Sequence, residues 1–161
     1  TGSIQAGEGK RSKALIRDYC DQEISEDLDR MVAAFLAKMN EFQERAKARD
    51  PMKAKMKRRF TCGLREVHRS VKTQDARLIV VTPNIEEGPS EGGLDDKLAD
   101  ILKDCKEMAV PVVYALSRNR LGKAVGRSMR MSAVAVHFVD GLYEEYQAIL
   151  NRAAELRKGG K

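Results

Sequence analysis

Three short apolar runs decide what this chain can fold into. Leu78-Ile79-Val80-Val81, Val110-Pro111-Val112-Val113-Tyr114-Ala115-Leu116 and Ala133-Val134-Ala135-Val136-His137-Phe138 lack the polar alternation of a strand with one wet face. Strands of this kind need cover on both sides. Helical patterns surround them. Leu28, Met31, Val32, Phe35, Leu36, Met39 and Phe42 recur at three- and four-residue spacing behind Ser25, a good N-cap. Glu26, Asp27 and Asp29 there suit the positive end of the helix dipole. Leu64, Val67 and Val71 mark a short helix after Gly63. Leu94, Leu98, Ile101, Leu102, Cys105 and Met108 mark another, and Leu142, Tyr146, Ile149, Leu150 and Ala153 a last one over about 142–156. Ile85 to Gly93, with Gly88-Pro89-Ser90 and Gly92-Gly93, reads as a loop. Helices alternating with two-sided strands predict the α/β class: a three-layer α/β/α sandwich with an N-terminal helical extension.

The 161 residues, 42% of them apolar, suit one domain with a substantial core. Residues 1–12 read as a disordered lead-in, 13–59 as the helical extension with a basic segment, and 60–158 as the α/β/α unit. No apolar run has the length of a membrane span and no signal peptide is visible, so no membrane partner is expected. Three cysteines without a C-x-x-C pair suggest a reducing, cytoplasmic setting, with the nucleus also open. With two isolated histidines, no metal or other cofactor is expected.

Charge is distributed more tellingly than its net +6 suggests. Arg45, Lys47, Arg49, Lys53, Lys55, Lys57, Arg58 and Arg59 face a single acid, Asp50, within residues 45–59. Asp50 as cap and Pro51 at the first helical position can start a basic helix there. A second acid-free run carries Arg118, Arg120, Lys123, Arg127 and Arg130. Both runs fit a phosphate-rich partner, and the first also fits a solvated helix face. Ser117 to Ser128 is no Walker A loop, because Ala124 lacks the magnesium-binding hydroxyl and no glycine sits at the required spacing. It reads as a short helix feeding a basic loop. Met129 and Met131, flanking Arg130, suit either a core or a loop tip that covers an extruded base.

Gly63 opens its helix with Leu64, Arg65, Glu66 and Arg69 in the first two turns. Such a helix start offers unpaired N–H groups to phosphate. Glu66 is repelled by phosphate, but it can accept hydrogen bonds from guanine N1–H and amino groups that a non-Watson–Crick pair leaves free. Arg65 and Arg69 can hold phosphate or a guanine edge. An ordinary glycine-capped helix with solvated charges describes the same residues. Cys62 beside this helix start is either an activated thiol or a structural one. His68 and His137 have no nucleophile or acid near them in sequence, and a non-catalytic protein is expected.

Collinear blocks then add a resemblance. Phe42-Gln43-Glu44-Arg45, Asp50-Pro51, Lys53-Ala54-Lys55, Lys57-Arg58-Arg59 and Gly63-Leu64-Arg65-Glu66-Val67 come first. Pro83-Asn84, Gly92-Gly93-Leu94-Asp95-Asp96, Ala115-Leu116, Arg118 and Leu121-Gly122 follow in order. Together they resemble the ribosomal kink-turn-binding protein family, in the pattern of its branch that binds the selenocysteine insertion (SECIS) element. The family's helix-opening motif is Gly-x-Asn-Glu-x-x-Lys. Gly63 and Glu66 match it, Arg69 stands at the lysine, and Arg65 stands at the asparagine, as in the SECIS-binding branch. The resemblance implies a three-layer α/β/α fold and recognition of tandem sheared G·A pairs in SECIS RNA of selenoprotein messages. It also implies partnership with the selenocysteine-specific elongation factor and the ribosome, so that UGA is decoded as selenocysteine. Implied RNA contacts are Gly63, Leu64, Arg65, Glu66 and Arg69; the basic residues Lys53, Lys55, Lys57, Arg58 and Arg59; Asn84, Arg118 and Arg120; and Met129, Arg130 and Met131 before the last strand. A ribosomal or small-ribonucleoprotein kink-turn binder, or an interaction domain of the same fold without an RNA role, are the alternatives.

Overall fold

A computed structural model describes residues 15–16, 20–85 and 92–157. The lead-in 1–12 and the turn-rich stretch 86–91 lie outside the described residues. The elements in order are β1 (Leu15–Ile16), α1 (Glu26–Arg49), α2 (Pro51–Met56), β2 (Phe60–Cys62), α3 (Leu64–Lys72), β3 (Leu78–Val81), β4 (Asn84–Ile85), α4 (Gly92–Glu107), β5 (Val112–Tyr114), α5 (Arg118–Ala124), β6 (Ala133–Val136) and α6 (Tyr143–Glu155). The four-stranded sheet has the order β2-β6-β3-β5, with β3 and β5 parallel and the other pairs antiparallel. A separate two-stranded pair joins β1 to β4.

The uninterrupted apolar strands do what their composition predicts. Along β3 and β6, Leu78, Val80, Val134 and Val136 point into one core with α1, α5 and α6. Their neighbours Ile79, Val81, Ala133 and Ala135 point into the other, with Val67 and Val71 of α3 and Leu98, Ile101 and Cys105 of α4. The architecture is thus a three-layer α/β/α sandwich. Among the described residues, no helix is long and apolar enough to cross a membrane.

Helix α1 supplies Leu28, Val32, Phe35, Leu36 and Met39 to the first core, all at most 1% exposed. A helix this deeply packed belongs to the layer it covers, and removing Phe35 alone costs about 3–5 kcal/mol. Its N-terminus differs from expectation. Ser25 occupies the cap position but makes no cap hydrogen bond, because its hydroxyl bonds the Asp27 carboxylate. Asp27 Oδ1 instead accepts from Leu28 N at 2.9 Å. Asp29, expected to favour the helix dipole, is also buried: its Oδ1 accepts from Leu116 N at 3.0 Å and its Oδ2 meets Arg120 at 3.4 Å. Leu116 has a φ of 73°, a left-handed conformation that a leucine adopts only when held there. The pair therefore fixes the turn from β5 into α5.

Three further elements escaped the sequence reading. β2 is three residues long and follows the basic run directly. The β1–β4 pair involves only two residues per strand. Helix α4 begins at Gly92, within the segment expected to be loop, so the loop ends earlier than its glycines suggest. The open edge of β5 is also closed in an unforeseen way. The buried side chain of Gln22 donates to Tyr114 O at 2.7 Å and accepts from Tyr114 N at 2.9 Å, as a neighbouring strand would.

Burial raises the Asp29 carboxyl above its ordinary value of 3.8, against the opposing pull of the Leu116 N–H and the Arg120 charge. A carboxyl raised in the folded state adds stability as pH falls through the folded value toward 3.8, and that contribution is gone above the window. Urea melts across acidic pH should show the native protein gaining on Asp29→Asn as pH falls through this window. At neutral pH, Asp29→Ala should cost about 1–3 kcal/mol by leaving Leu116 N–H unsatisfied.

Candidate nucleic-acid interface

Strand β2 runs into α3 through Gly63, whose φ of 95° and ψ of 145° suit glycine almost alone. A Cβ at Gly63 would meet nothing within 4 Å, so the requirement is conformational and not one of space. The first helical bond runs from Val67 N to Gly63 O at 2.9 Å, and no side chain caps the helix. Leu64 is half-buried, while Arg65, Glu66 and Arg69 are exposed, with Arg65 and Arg69 four residues apart on one face. Ser70 anchors the helix from beneath: its Oγ lies 2.9 Å from His137 Nε2 and 3.3 Å from Thr61 Oγ1.

Helix α2 lies beside this start. Asp50 caps it by accepting from Lys53 N at 3.2 Å, and Pro51 takes the first position. Between α2, β2 and α3 opens a groove of about 550 Å³, lined by Gln43, Lys47, Lys55, Arg58, Glu66 and Arg127 over Phe60, Thr61 and Cys62. The structure thus brings Lys55, Arg58 and Glu66 together. Glu66 makes no ion pair among the described residues, although four cations line the same groove. Lys53, Lys57 and Arg59 lie on the opposite flank of α2.

Lys47, Gln43 and Arg127 are additions to the expected set. Arg127 is placed by a Schellman turn closing α5: Arg127 N donates to Gly122 O at 2.8 Å and Gly126 N to Lys123 O at 3.0 Å, with Gly126 at a φ of 75°. The Gly126-Arg127 step after a short basic helix was the available signal. Gln43 Oε1 accepts from Arg59 N at 2.7 Å, tying α1 to the strand entrance.

Other expected residues have different surroundings. Arg120 pairs with Glu26 at 3.3 Å and Asp29 at 3.4 Å, so its guanidinium is committed to α1. Arg118 is half-buried with an enclosed Nε that has no hydrogen-bond partner. Met129 is 63% exposed, whereas Met131 is 8% exposed within the α1-side core. Arg130 is exposed. Asn84 has its backbone in β4, and its side chain lies outside the described residues.

The titratable groups near the groove have distinct surroundings. Burial pushes the Cys62 thiol above its ordinary value despite the nearby Arg127 guanidinium, so it is a protonated structural thiol at neutral pH. The histidines do find partners, far away in sequence. His68 Nε2 meets Asp104 Oδ2 at 2.6 Å and ties α3 to α4. His137, lowered by burial, meets Ser70, which is itself buried beneath α3.

The site is a basic groove beside an uncapped helix start, on a three-layer α/β/α domain, with the charge that a polyanion would seek. The model of the ribosomal protein L7Ae/L30e/S12e/Gadd45 family matches residues 46–144. The chain belongs to that family. It is 36% identical over 145 residues to selenocysteine insertion sequence-binding protein 2 of Rattus norvegicus, and 33% identical over 145 residues to the corresponding 2-like protein of Homo sapiens. Each alignment covers 90% of this chain but only 17% and 13% of those longer proteins. In fold it is similar to the Giardia lamblia 15.5kD RNA binding protein, with a TM-score of 0.62 at 16% identity over 83% of this chain and 92% of that one.

Gly122 gives a direct test of how the Met129 segment is held. A Cβ there would lie 2.1 Å from the Met129 carbonyl oxygen, a backbone atom. Gly122→Ala should cost about 1–3 kcal/mol and shift the amide resonances of Met129 and Arg130, while those of α4 on the far layer stay in place.

Proposed function

We propose that this chain is a non-catalytic RNA-binding domain that reads the tandem sheared G·A core of a SECIS-type element. One observation carries the reading: Glu66, an unpaired carboxylate, shares a groove with Lys47, Lys55, Arg58 and Arg127. Phosphates are drawn to the cations and repelled by Glu66, which accepts instead from guanine N1–H and amino groups. A plain duplex has those donors paired. Gly63 sets the helix start, Arg65 and Arg69 flank Glu66 on the exposed face, and Met129 stands ready to cover a splayed base. In this reading residues 60–158 carry the base-reading site and 13–59 supply its basic flank.

The similarity to proteins named for the selenocysteine insertion sequence supports this target over other kink-turn RNAs. It extends the proposal to cytoplasmic decoding of UGA as selenocysteine, with the selenocysteine-specific elongation factor and the ribosome as partners.

Binding should be compared at fixed salt on a SECIS element, a standard kink-turn and a mismatch-free hairpin. The SECIS element should bind most tightly, and Glu66→Ala should cost about 1–3 kcal/mol on it with little change on the hairpin. Equal losses on both RNAs would remove the base-reading role. Equal affinity for all three RNAs would favour an interaction domain without a specific RNA target.

A further inference from the structure

Helix α2 has two flanks, and only one faces the Glu66 groove. Against the other lies a second groove of about 390 Å³, lined by Arg49, Lys53, Lys57 and Arg59, with Ala54 on the α2 side and the Phe138 ring opposite. Ala54 belongs to both linings, so α2 is the ridge between the grooves. The basic run is divided accordingly: Lys55 and Arg58 serve the first groove, Lys53 and Lys57 the second.

Two cations of the second groove, Lys57 and Arg59, are positioned without being neutralised. Arg59 donates to the backbone carbonyl of Asp140 at 2.7 Å, and its guanidinium lies 4.9 Å from the centre of the Phe42 ring. Lys57 Nζ stands 5.2 Å from the centre of the Phe138 ring. Carbonyl and ring faces fix a cation yet leave its full charge available. Arg49, Lys53 and Lys57 make no ion pair among the described residues. The opposing acids are Asp50, whose carboxylate accepts from Lys53 N at the helix cap, and Asp140 at the rim. Lys53 and Lys57 are four residues apart, which sets them about 6 Å apart along the helix, and Arg49 precedes them by the same interval in sequence. A cluster of uncompensated positive charge, with Lys57 and Arg59 held by rings and a carbonyl, suits a ligand of repeating negative charge. An acidic peptide would also need pockets for its side chains, and this groove offers only alanines and one ring.

We propose that the second groove holds a sugar–phosphate strand of the bound RNA outside the element read at α3, so that the α2 ridge sits between two RNA segments. This inference rests on the RNA-binding reading above and assigns the cations of α2 to two separate strands.

The test uses two RNAs at several salt concentrations, one limited to the G·A internal loop with its closing pairs and one with the flanking stem extended. The extension should tighten binding of the native chain about tenfold and steepen its salt dependence. The triple variant Arg49→Ala/Lys53→Ala/Lys57→Ala should lose that gain, its salt slope on the long RNA falling by about 2–3. Glu66→Ala should bind both RNAs more weakly and keep the gain. A triple variant that retains the gain, or an extension that brings none to the native chain, overturns the second groove. Loss of polyglutamate binding by the triple variant, with its RNA gain intact, would assign the groove to an acidic protein instead. If Glu66→Ala changes neither RNA, the base-reading proposal fails, and the groove is still judged by the extension gain alone. Because all three changed side chains are exposed, a thermal melt should match the native chain; if it does not, Lys53→Gln/Lys57→Gln replaces the triple variant in the same comparison.

Discussion

The central sheet must be covered on both faces, and everything that forms the candidate site follows from how this is done. Val134 and Val136 of β6 fill the layer under α1, α5 and α6, while the small side chains of Ala133 and Ala135 face α3 and α4. Small residues on that face let α3 lie close against β6. Helix α3 leaves directly from the end of β2, and β2 is hydrogen-bonded to β6 along its whole length. The chain must therefore reverse from strand to helix in one residue. Gly63, at a φ of 95°, makes that reversal, and it delivers an uncapped helix start to the groove beside α2. The helix end is exposed because the sheet is buried.

How much of this the sequence disclosed depended on whether the signal was local. The two-sided burial of β3 and β6 was legible because every residue in Leu78–Val81 and Ala133–Val136 is apolar. So was α1, where seven apolar residues keep helical spacing, and so was the Asp50-Pro51 start of α2. β2 was not legible, since Phe60-Thr61-Cys62 becomes a strand only by pairing with β6, more than seventy residues later. The same reason hid Gln22, whose side chain closes the β5 edge from 92 residues away, and the turn of Asp29 inward to Leu116. Glu66 and Arg65 stood out locally as charges at a glycine-led helix start. Arg127 did not, because only the Schellman turn after α5 carries it to the groove. Local sequence leaves the surroundings of Met131 and Arg120 open: a methionine next to a basic loop and an arginine in a basic run look available in sequence. In the fold one is core, and the other is held by Glu26 and Asp29.

The positive charge of the chain falls into two physical kinds. Arg120, Arg152 and Arg157 are paired with Glu26 and Asp29, with Asp27 and Glu155, and with Asp21, all around the N-terminus of α1 and the ends of α6. Whether exposed, as at Arg152 and Arg157, or half-enclosed, as at Asp29, the charge of these pairs is internally compensated. The cations of α2 are different. Among the described residues Lys55, Arg58, Lys53 and Lys57 have no carboxylate partner, and the Phe42 ring and a carbonyl hold the neighbouring Arg59. A folded chain gains little from leaving such charge unbalanced, since like charges on a short helix repel one another. The imbalance is concentrated on one ridge, which is the arrangement a polyanion relieves.

Among the residues that line the first groove, Glu66 is the one carboxylate and opposes the field of the cations around it. A second arginine or lysine in its place would attract phosphate more strongly and would do so on any RNA, because phosphate carries no sequence information. A carboxylate makes the centre of the groove unfavourable for backbone and favourable only for a group that donates N–H. Under the proposed function, specificity arises from a penalty as much as from a contact: an RNA with its guanine edges paired meets the cations but gains nothing at Glu66. The penalty works only if the carboxylate is not already neutralised by a neighbour, and Glu66 stands among four cations without pairing to any. Cys62 and Thr61 at the floor leave room in front of it, and the thiol, kept protonated by burial, adds no second negative charge there. In the proposed reading, the groove separates attraction, spread along α2, from discrimination, confined to one side chain at the start of α3.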